Sequence, residues 1–505
     1  MVKYFWILPT SFTRYIWIPL ALLIKERLQI EPLFIVISEQ DKSFYLKMSG
    51  GALDDKNFSL EPNFYLTLTQ NHYSDMDLFE IINSYEKKYK FTVYRDMIQA
   101  DRHIGRNWAW AWNGKPESRA MKNTDRYGAL RASLAALEYF EKLYQIHPPE
   151  FVIGSGIGTG LSGKPISLIC RKNNIPFRAT HSARFNKYTY WATDEFGNNL
   201  DICQKIRALE KEKKHTVSNR NTELRENQKF QSVYKTHTET SKSIISALKL
   251  SFVAFLRRYF AILRDIGKTK TGYYPLSLAS MPIRQWAAGR LYRRSIFKDI
   301  TKLPAATKYF LFPLQFDFES SLQGEAPQVP PIFTLIHQIS LSLPAGAVLL
   351  VKEHPLQAGR RPKFVYDLIK DLHNVVLVKP TIKASMIFDK VDAVIQINSS
   401  MGYEALAQGV PIFSLSPHGI IHGSSLNESI SAPFNKLKRF SLNETSFTSA
   451  ERRHLALSFT QTIQKTCFEL PNPPESFDTL LSKKDVEEMY EHLVKSLDRF
   501  RHTGS

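Results

Sequence analysis

Cysteine is scarce, with only Cys170, Cys203 and Cys467 in 505 residues. They lie far apart in no metal-binding or redox spacing, and an odd, sparse set suits a reducing compartment. No apolar run reaches the roughly 18 residues that a membrane-spanning helix requires. The opening stretch YFWILPTSFTRYIWIPLALLIKERL comes nearest, but Pro9, Thr10, Ser11, Thr13 and Arg14 divide it into strand, loop and helix. The expectation is no cleaved signal, no transmembrane helix and a cytoplasmic protein, with peripheral contact to a membrane left open. Internal repeats, low-complexity tracts and recognisable nucleic-acid modules are missing, so no nucleic-acid partner is expected. The glycine-rich IGSGIGTGLSG (153–163) fits neither the Walker nor the dinucleotide pattern. It reads equally as a loop that lets a ligand approach the backbone and as an ordinary loop. No DxD-type acidic pair stands at a convincing strand end, which predicts chemistry independent of a metal and of any other cofactor.

What is present is a globular composition, 43% hydrophobic and 12% aromatic, with a formal net charge of +19. Such an excess favours an anionic partner: nucleic acid, an acidic membrane surface or a phosphorylated substrate. The length exceeds one ordinary core, and two domains of roughly 200 residues each are the natural division. Short aliphatic runs alternate with helical stretches at both ends of the chain, as in parallel α/β sheets. EPLFIVIS (31–38), FTVYRDM (91–97), PEFVIGSG (149–156) and NNIPFRATHSAR (173–184) read as strands, and 126–146 reads as a long amphipathic helix. A second α/β pattern begins at KYFLFPLQFDFESS (308–321). It runs on through AVLLVKEHP, VVLVKP, DAVIQINSS and VPIFSLS. The expected units are an N-terminal domain over 1–200, a connector over 201–304, a C-terminal domain over 305–470 and a final helix within 471–505.

The connector changes character. Its first part, QKIRALEKEKKHTVSNRNTELRENQKFQ, reads as a solvated charged helix without an apolar face. Its second part, 245–300, interleaves apolar residues with Lys and Arg. That segment is either a helix packed on the protein or a basic amphipathic surface resting on anionic lipid.

The polar clusters stand at strand ends, where open α/β sheets bind ligands. Lys352, Glu353, His354 and Pro355 close one strand, followed by Gly359, Arg360 and Arg361. An imidazole and guanidinium groups there suit a phosphate, although a His-Pro pair also serves as a plain turn. Asn398, Ser399 and Ser400 close another strand just before a helix. They read as an anion site at a helix N-terminus or as simple capping. Gly402 allows close approach. Glu404, in the expected first helical turn, suits ribose hydroxyls or merely the helix dipole. Gln315, Asp317 and Glu319 share one face of an extended strand opposite Phe316 and Phe318, as in a cleft wall or a solvated edge.

The ensemble KEHP, GRRP, NVVLVKP and DAVIQINSSMGYEALAQGVPIFSL, collinear within 305–425, closely resembles the C-terminal half of the bacterial capsular polysaccharide biosynthesis glycosyltransferases. That family includes enzymes transferring Kdo from CMP-Kdo. The resemblance implies a GT-B fold, α/β with two Rossmann-like domains facing across a cleft, the nucleotide sugar held mainly by the C-terminal one. It implies that His354, Ser399 and Ser400 hold the nucleotide phosphate, with Glu404 near ribose or base. Lys352, Pro355, Arg360, Asn398 and Gln315 complete the expected donor site. WAWNGKPESRA carries Asn113 and Gly114 in the manner of family members, with Glu117 just beyond. Arg184, near His181 and Lys187, suits an acidic group on the sugar. Asp317, Glu319 and Glu117 are the candidates for the catalytic carboxylate. The implied partners are a nucleotide-sugar donor, a lipid-linked or polysaccharide acceptor and an anionic inner-membrane surface. A polyol-phosphate transferase on the same scaffold and a non-catalytic polysaccharide-assembly protein are the alternatives.

Overall fold

A computed structural model of the chain describes residues 2–503 apart from several segments. These are 10–13, 70–73, 102–103, 105–126, 156–159, 186, 213–242, 265–273, 293–296, 316–321, 323, 325, 327–328, 355–360, 362, 381, 417, 433, 442–446 and 471–479. The first strands are β1 (Tyr4–Leu8), β2 (Glu31–Val36), β3 (Phe58–Leu60), β4 (Pro149–Ser155), β5 (Phe177–Ser182) and β6 (Tyr188–Ala192). A second set comprises β7 (Lys308–Pro313), β8 (Ala347–Lys352), β9 (Val375–Val378), β10 (Ala393–Gln396), β11 (Ile412–Ser414) and β12 (Asn427–Ser429), and the short β13 (Phe468–Glu469) comes last.

They form two sheets, ordered β13-β6-β5-β4-β1-β2-β3 and β12-β11-β10-β7-β8-β9. The second is wholly parallel, and the first is parallel except around β6. Parallel sheets covered on both faces take strands that are apolar throughout. Strand β8, AVLLVK, is buried at every position. In β1, Trp6 enters one apolar layer while Phe5 and Ile7 enter the other, following the alternation of side chains along a strand. Both sheets reverse direction around their first strand: β1 lies between β4 and β2, and β7 between β10 and β8. Those reversals open crevices at the carboxyl ends of the strands, and they position the site.

Three sequence expectations change. The run at 91–97 is not a strand: Tyr94–Ile98 forms a helical turn of the wide type. The Asp96 carboxylate accepts the Thr92 N–H at 2.9 Å and Glu86 accepts that of Val93 at 2.7 Å, so both donors are taken locally before any ladder forms. The Leu200–Lys211 helix, the start of the charged connector, does have an apolar face, burying Ile202, Cys203 and Ile206. The chain also leaves the C-terminal domain before 470. Strand β13 pairs antiparallel with β6, and the Lys483–Thr503 helix packs on the Arg14–Leu28 helix. Arg27 holds Glu487 at 2.7 Å and lies over the Tyr490 ring, while Trp191 Nε1 donates to the Met489 carbonyl at 3.2 Å. The last helix therefore completes the first domain. Leu493→Ala, at a fully buried position, is expected to cost about 2–5 kcal/mol in denaturant unfolding; a terminal appendage would lose almost nothing.

Candidate functional site

Three strands of the C-terminal sheet deliver polar groups to one crevice. Gln315 follows β7, Lys352 ends β8 and leads into Glu353 and His354, and Asn398, Ser399 and Ser400 follow β10. Glu353 is fully buried. Its carboxylate accepts from Arg361 Nε at 2.8 Å, from the Tyr366 hydroxyl at 2.5 Å and from the His354 backbone N–H at 2.7 Å. Arg361 also donates to the Gln315 carbonyl at 2.6 Å, and the Gln315 side-chain amide donates to Asn398 Oδ1. One network thus ties the ends of β7, β8 and β10 to the Lys363–Lys370 helix. Burying both charges is tolerable because each is paired and hydrogen-bonded. Gln315, only 4% exposed just past the central strand β7, belongs to this frame and not to a solvated edge.

Lys352 lies beside it, buried, its ammonium donating to the Pro380 carbonyl at 3.0 Å. Burial pushes its pKa down, opposed by the charges of Glu353 and Glu404. Burial raises Glu404 to about 7, with Lys352 pulling the other way. The helix begins at Ser400, so Glu404 stands in its second turn and not its first. Ser399 is the N-cap, its hydroxyl oxygen accepting the Met401 N–H at 3.2 Å, and Ser400 opens the helix exposed to solvent. Gly402 is required by close approach, because the fully buried Gln396 side chain occupies the space a Cβ would need.

Arg184 stands apart in the β5–β6 turn, in the left-handed backbone region at φ 57°, its N–H held by the Ser182 hydroxyl. His181 beside it contacts the Tyr190 hydroxyl and packs on Gly197. Asp317, Glu319, Glu117, Asn113, Gly114, Pro355 and Arg360 lie outside the described residues. Among the described residues, no three His, Cys, Asp or Glu side chains converge in a metal-binding group. The three cysteines are buried and free, and burial pushes the Cys203 thiol up to about 11.

Sequence reading missed a second cluster, at the carboxyl ends of the N-terminal sheet. Glu61, just past β3, accepts from the Ser162 hydroxyl, and burial raises its carboxyl to about 7. Asp101 accepts from the Tyr65 hydroxyl at 2.7 Å and lies against Gly160, whose φ of +68° and missing Cβ admit it. Only the glycines of 153–163 hinted at this packing.

The two domains meet close to the C-terminal crevice. Phe196 stacks on His418 with ring centroids 4.4 Å apart, and Asn198 Oδ1 accepts the Gly419 N–H at 3.0 Å. Gly419 in turn faces the Tyr403 hydroxyl of the Ser400–Ala407 helix. Glu210 accepts from Ser424 and Ser425, and Arg207 donates to the His422 carbonyl at 3.0 Å. These residues line a cavity of about 350 Å³. Burial depresses His422 to about 4, leaving a neutral ring that donates to the Ser416 carbonyl and accepts from the Asn427 amide.

Fold and site together define a two-domain α/β protein with Rossmann-like sheets and a polar crevice at a topological switch point. Residues 269–419, the region that holds the C-terminal crevice, match the family described as capsule polysaccharide biosynthesis protein. A search of curated proteins returned no match. Among solved structures, the Thermosulfurimonas dismutans KpsC β-Kdo 2,7-transferase is similar at 14% identity, covering 71% of this chain and 89% of that one, with a TM-score of 0.29. The β-Kdo 2,4-transferase of the same organism's KpsC is similar at 12% identity, 61% and 79% coverage and a TM-score of 0.30. The S. aureus MnaA–UDP complex is similar at 9% identity, 99% and 97% coverage and a TM-score of 0.28.

Three outcomes test the frame. Arg361→Leu strands a buried carboxylate and is expected to cost about 3–5 kcal/mol in chemical unfolding. Gly402→Ala, which in an ordinary helix would stabilise, is expected here to destabilise by about 1–3 kcal/mol in the same assay. Glu404 has a folded pKa above its unfolded value, so the unfolded chain releases its proton first. Stability is therefore expected to fall as pH rises from 4.5 to about 7 and then to level off. Glu404→Gln should remove its own share of that fall, worth at most about 3 kcal/mol, leave the share that Glu61 contributes over the same window, and leave stability below pH 4.5 unchanged in melts across the range.

Proposed function

We propose that the protein is a glycosyltransferase of bacterial surface polysaccharide synthesis that moves a sugar from a nucleotide-activated donor to a glycan or glycolipid acceptor. The observation supporting this most is the convergence of Gln315, Lys352, His354 and the Asn398–Ser400 segment at the switch point of the C-terminal sheet, inside the capsule-family region. Glycosyl transfer builds positive charge on the anomeric carbon and negative charge on the departing phosphate. In this reading His354, Arg360, Ser399, Ser400 and the amino end of the Ser400–Ala407 helix receive the phosphate, with Lys352 adding positive charge beneath. Glu404, near neutrality, offers ribose hydroxyls both a donor and an acceptor. Asp317, Glu319 or Glu117 supplies the carboxylate that faces the anomeric carbon or the acceptor hydroxyl, and Arg184 meets an acidic group on the sugar. Because protein cations and the helix dipole neutralise the phosphate, the reaction proceeds without a metal.

The donor is CMP-Kdo or a similar acidic sugar, a choice supported by the motif resemblance around KEHP and NSSMGYEALAQG. The acceptor is carried at the inner face of a membrane, which the basic 245–300 segment approaches.

Thermal stabilisation by CMP, CDP, UDP, GDP and ADP, repeated with His354→Ala, tests the reading. CMP at about 100 times its dissociation constant should add roughly 2.7 kcal/mol to the native protein and much less to the variant. A shift with UDP or GDP alone would overturn the donor. No shift with any nucleotide would overturn the transferase and favour a non-catalytic assembly protein.

A further inference from the structure

The Ile244–Arg264 helix packs against the Pro275–Tyr292 helix, and its apolar side is mostly uncovered. Ile245, Leu248, Phe252, Leu256, Tyr259 and Leu263 recur at three- and four-residue spacing, which aligns them in one stripe along the helix. Ile245 is 75% exposed, Phe252 63% and Leu263 61%. The buried positions of this helix, Ala247 and Ser251, lie on roughly the opposite side. The stripe extends about 27 Å along the 21-residue helix. Exposed apolar surface of that length marks an interaction site.

Charge identifies the occupant. The helix carries Lys249, Arg257, Arg258 and Arg264, its neighbour carries Arg284 and Arg290, and neither contains an aspartate or glutamate. Lys249 is exposed beside the stripe, and Arg257 is exposed further round the helix. A second copy seated on it would bring two cationic helices together with no acid to pair them. An anionic bilayer offers an apolar interior and a negative surface at once. No helix among the described residues is long and apolar enough to cross a membrane, so the contact lies in the interface plane.

We infer that the Ile244–Arg264 helix docks on an anionic lipid bilayer, with the Ile245–Leu263 stripe sunk among the acyl chains and Lys249 and Arg257 against the headgroups. This deepens the membrane-side part of the proposed function and rests on it. It makes this pair of packed helices the element that holds the transferase near a membrane-borne acceptor.

The test is cosedimentation of the full chain with vesicles of phosphatidylcholine containing about one third phosphatidylglycerol, against phosphatidylcholine alone. The native protein should sediment with the anionic vesicles. Phe252→Glu with Leu263→Glu should weaken binding about tenfold or more. Lys249→Gln with Arg257→Gln should weaken it about fivefold per charge and flatten its salt dependence. Both double variants should keep the native melting temperature and the CMP-induced shift. Failure of the native protein to sediment, or unchanged sedimentation of the glutamate variant, overturns the inference. So does a native dimer that the glutamate variant dissolves, which would give the stripe to a second copy. Lost nucleotide binding with intact vesicle binding would sink the transferase reading and leave the docking standing.

Discussion

The ion pair between Glu353 and Arg361 is the contact on which the C-terminal crevice depends. A carboxylate with no exposure at all is costly unless every lone pair is used, and here Arg361, Tyr366 and the His354 backbone use them. The arrangement fixes more than its own two residues. Arg361 grips the Gln315 carbonyl, Gln315 grips Asn398, and Asn398 precedes the serines that open the next helix. Three strand ends that could splay independently are locked into one rim.

Around that rim the electrostatics are divided by depth. Glu353 is fully paired, whereas Glu404 and Glu61 are pushed toward neutrality by burial. A chain with a formal charge of +19 thus keeps acidic groups near neutrality at the carboxyl ends of both its sheets. The domain contact sits next to the C-terminal rim. Phe196 is stacked on His418, and Lys164 lies 5.4 Å from the same Phe196 ring while pairing with Glu195. Movement of one domain on the other would reach the Ser400–Ala407 helix through Gly419 and Tyr403.

Much of the fold was legible because parallel strands buried on both faces leave continuous aliphatic runs, as in AVLLVK and AVIQ. The run at 91–97 misled because Phe91 and Val93 alternate as strand residues do. The local capture of the Thr92 and Val93 N–H groups by Asp96 and Glu86, invisible in a linear pattern, decides for a helical turn. The Leu200–Lys211 helix misled for the opposite reason: its few apolar residues are enough because they meet the 420–423 segment closely, where a Cβ on Gly423 would touch Cys203. Among site residues, Lys352, His354 and the serines were visible as abrupt ends to apolar runs. The structural weight of Glu353 was not, since nothing in KEHP says which of its charges faces inward. Glu61 follows a strand of three residues and depends on a partner 101 positions away.

The return of the chain to its starting domain has a consequence for biosynthesis. Arg27 and Glu487 are 460 residues apart, yet they join the first helix to the last. At about 5–20 residues per second, a ribosome needs tens of seconds or more to cover that interval. During this time the apolar faces of the Arg14–Leu28 helix and of Trp191 lack the cover that Met489, Leu493 and Leu497 provide in the finished protein. The domain made first is thus the one completed last. A nascent chain of this kind presents its longest-lived sticky surface at its N-terminal end, where a chaperone would find it.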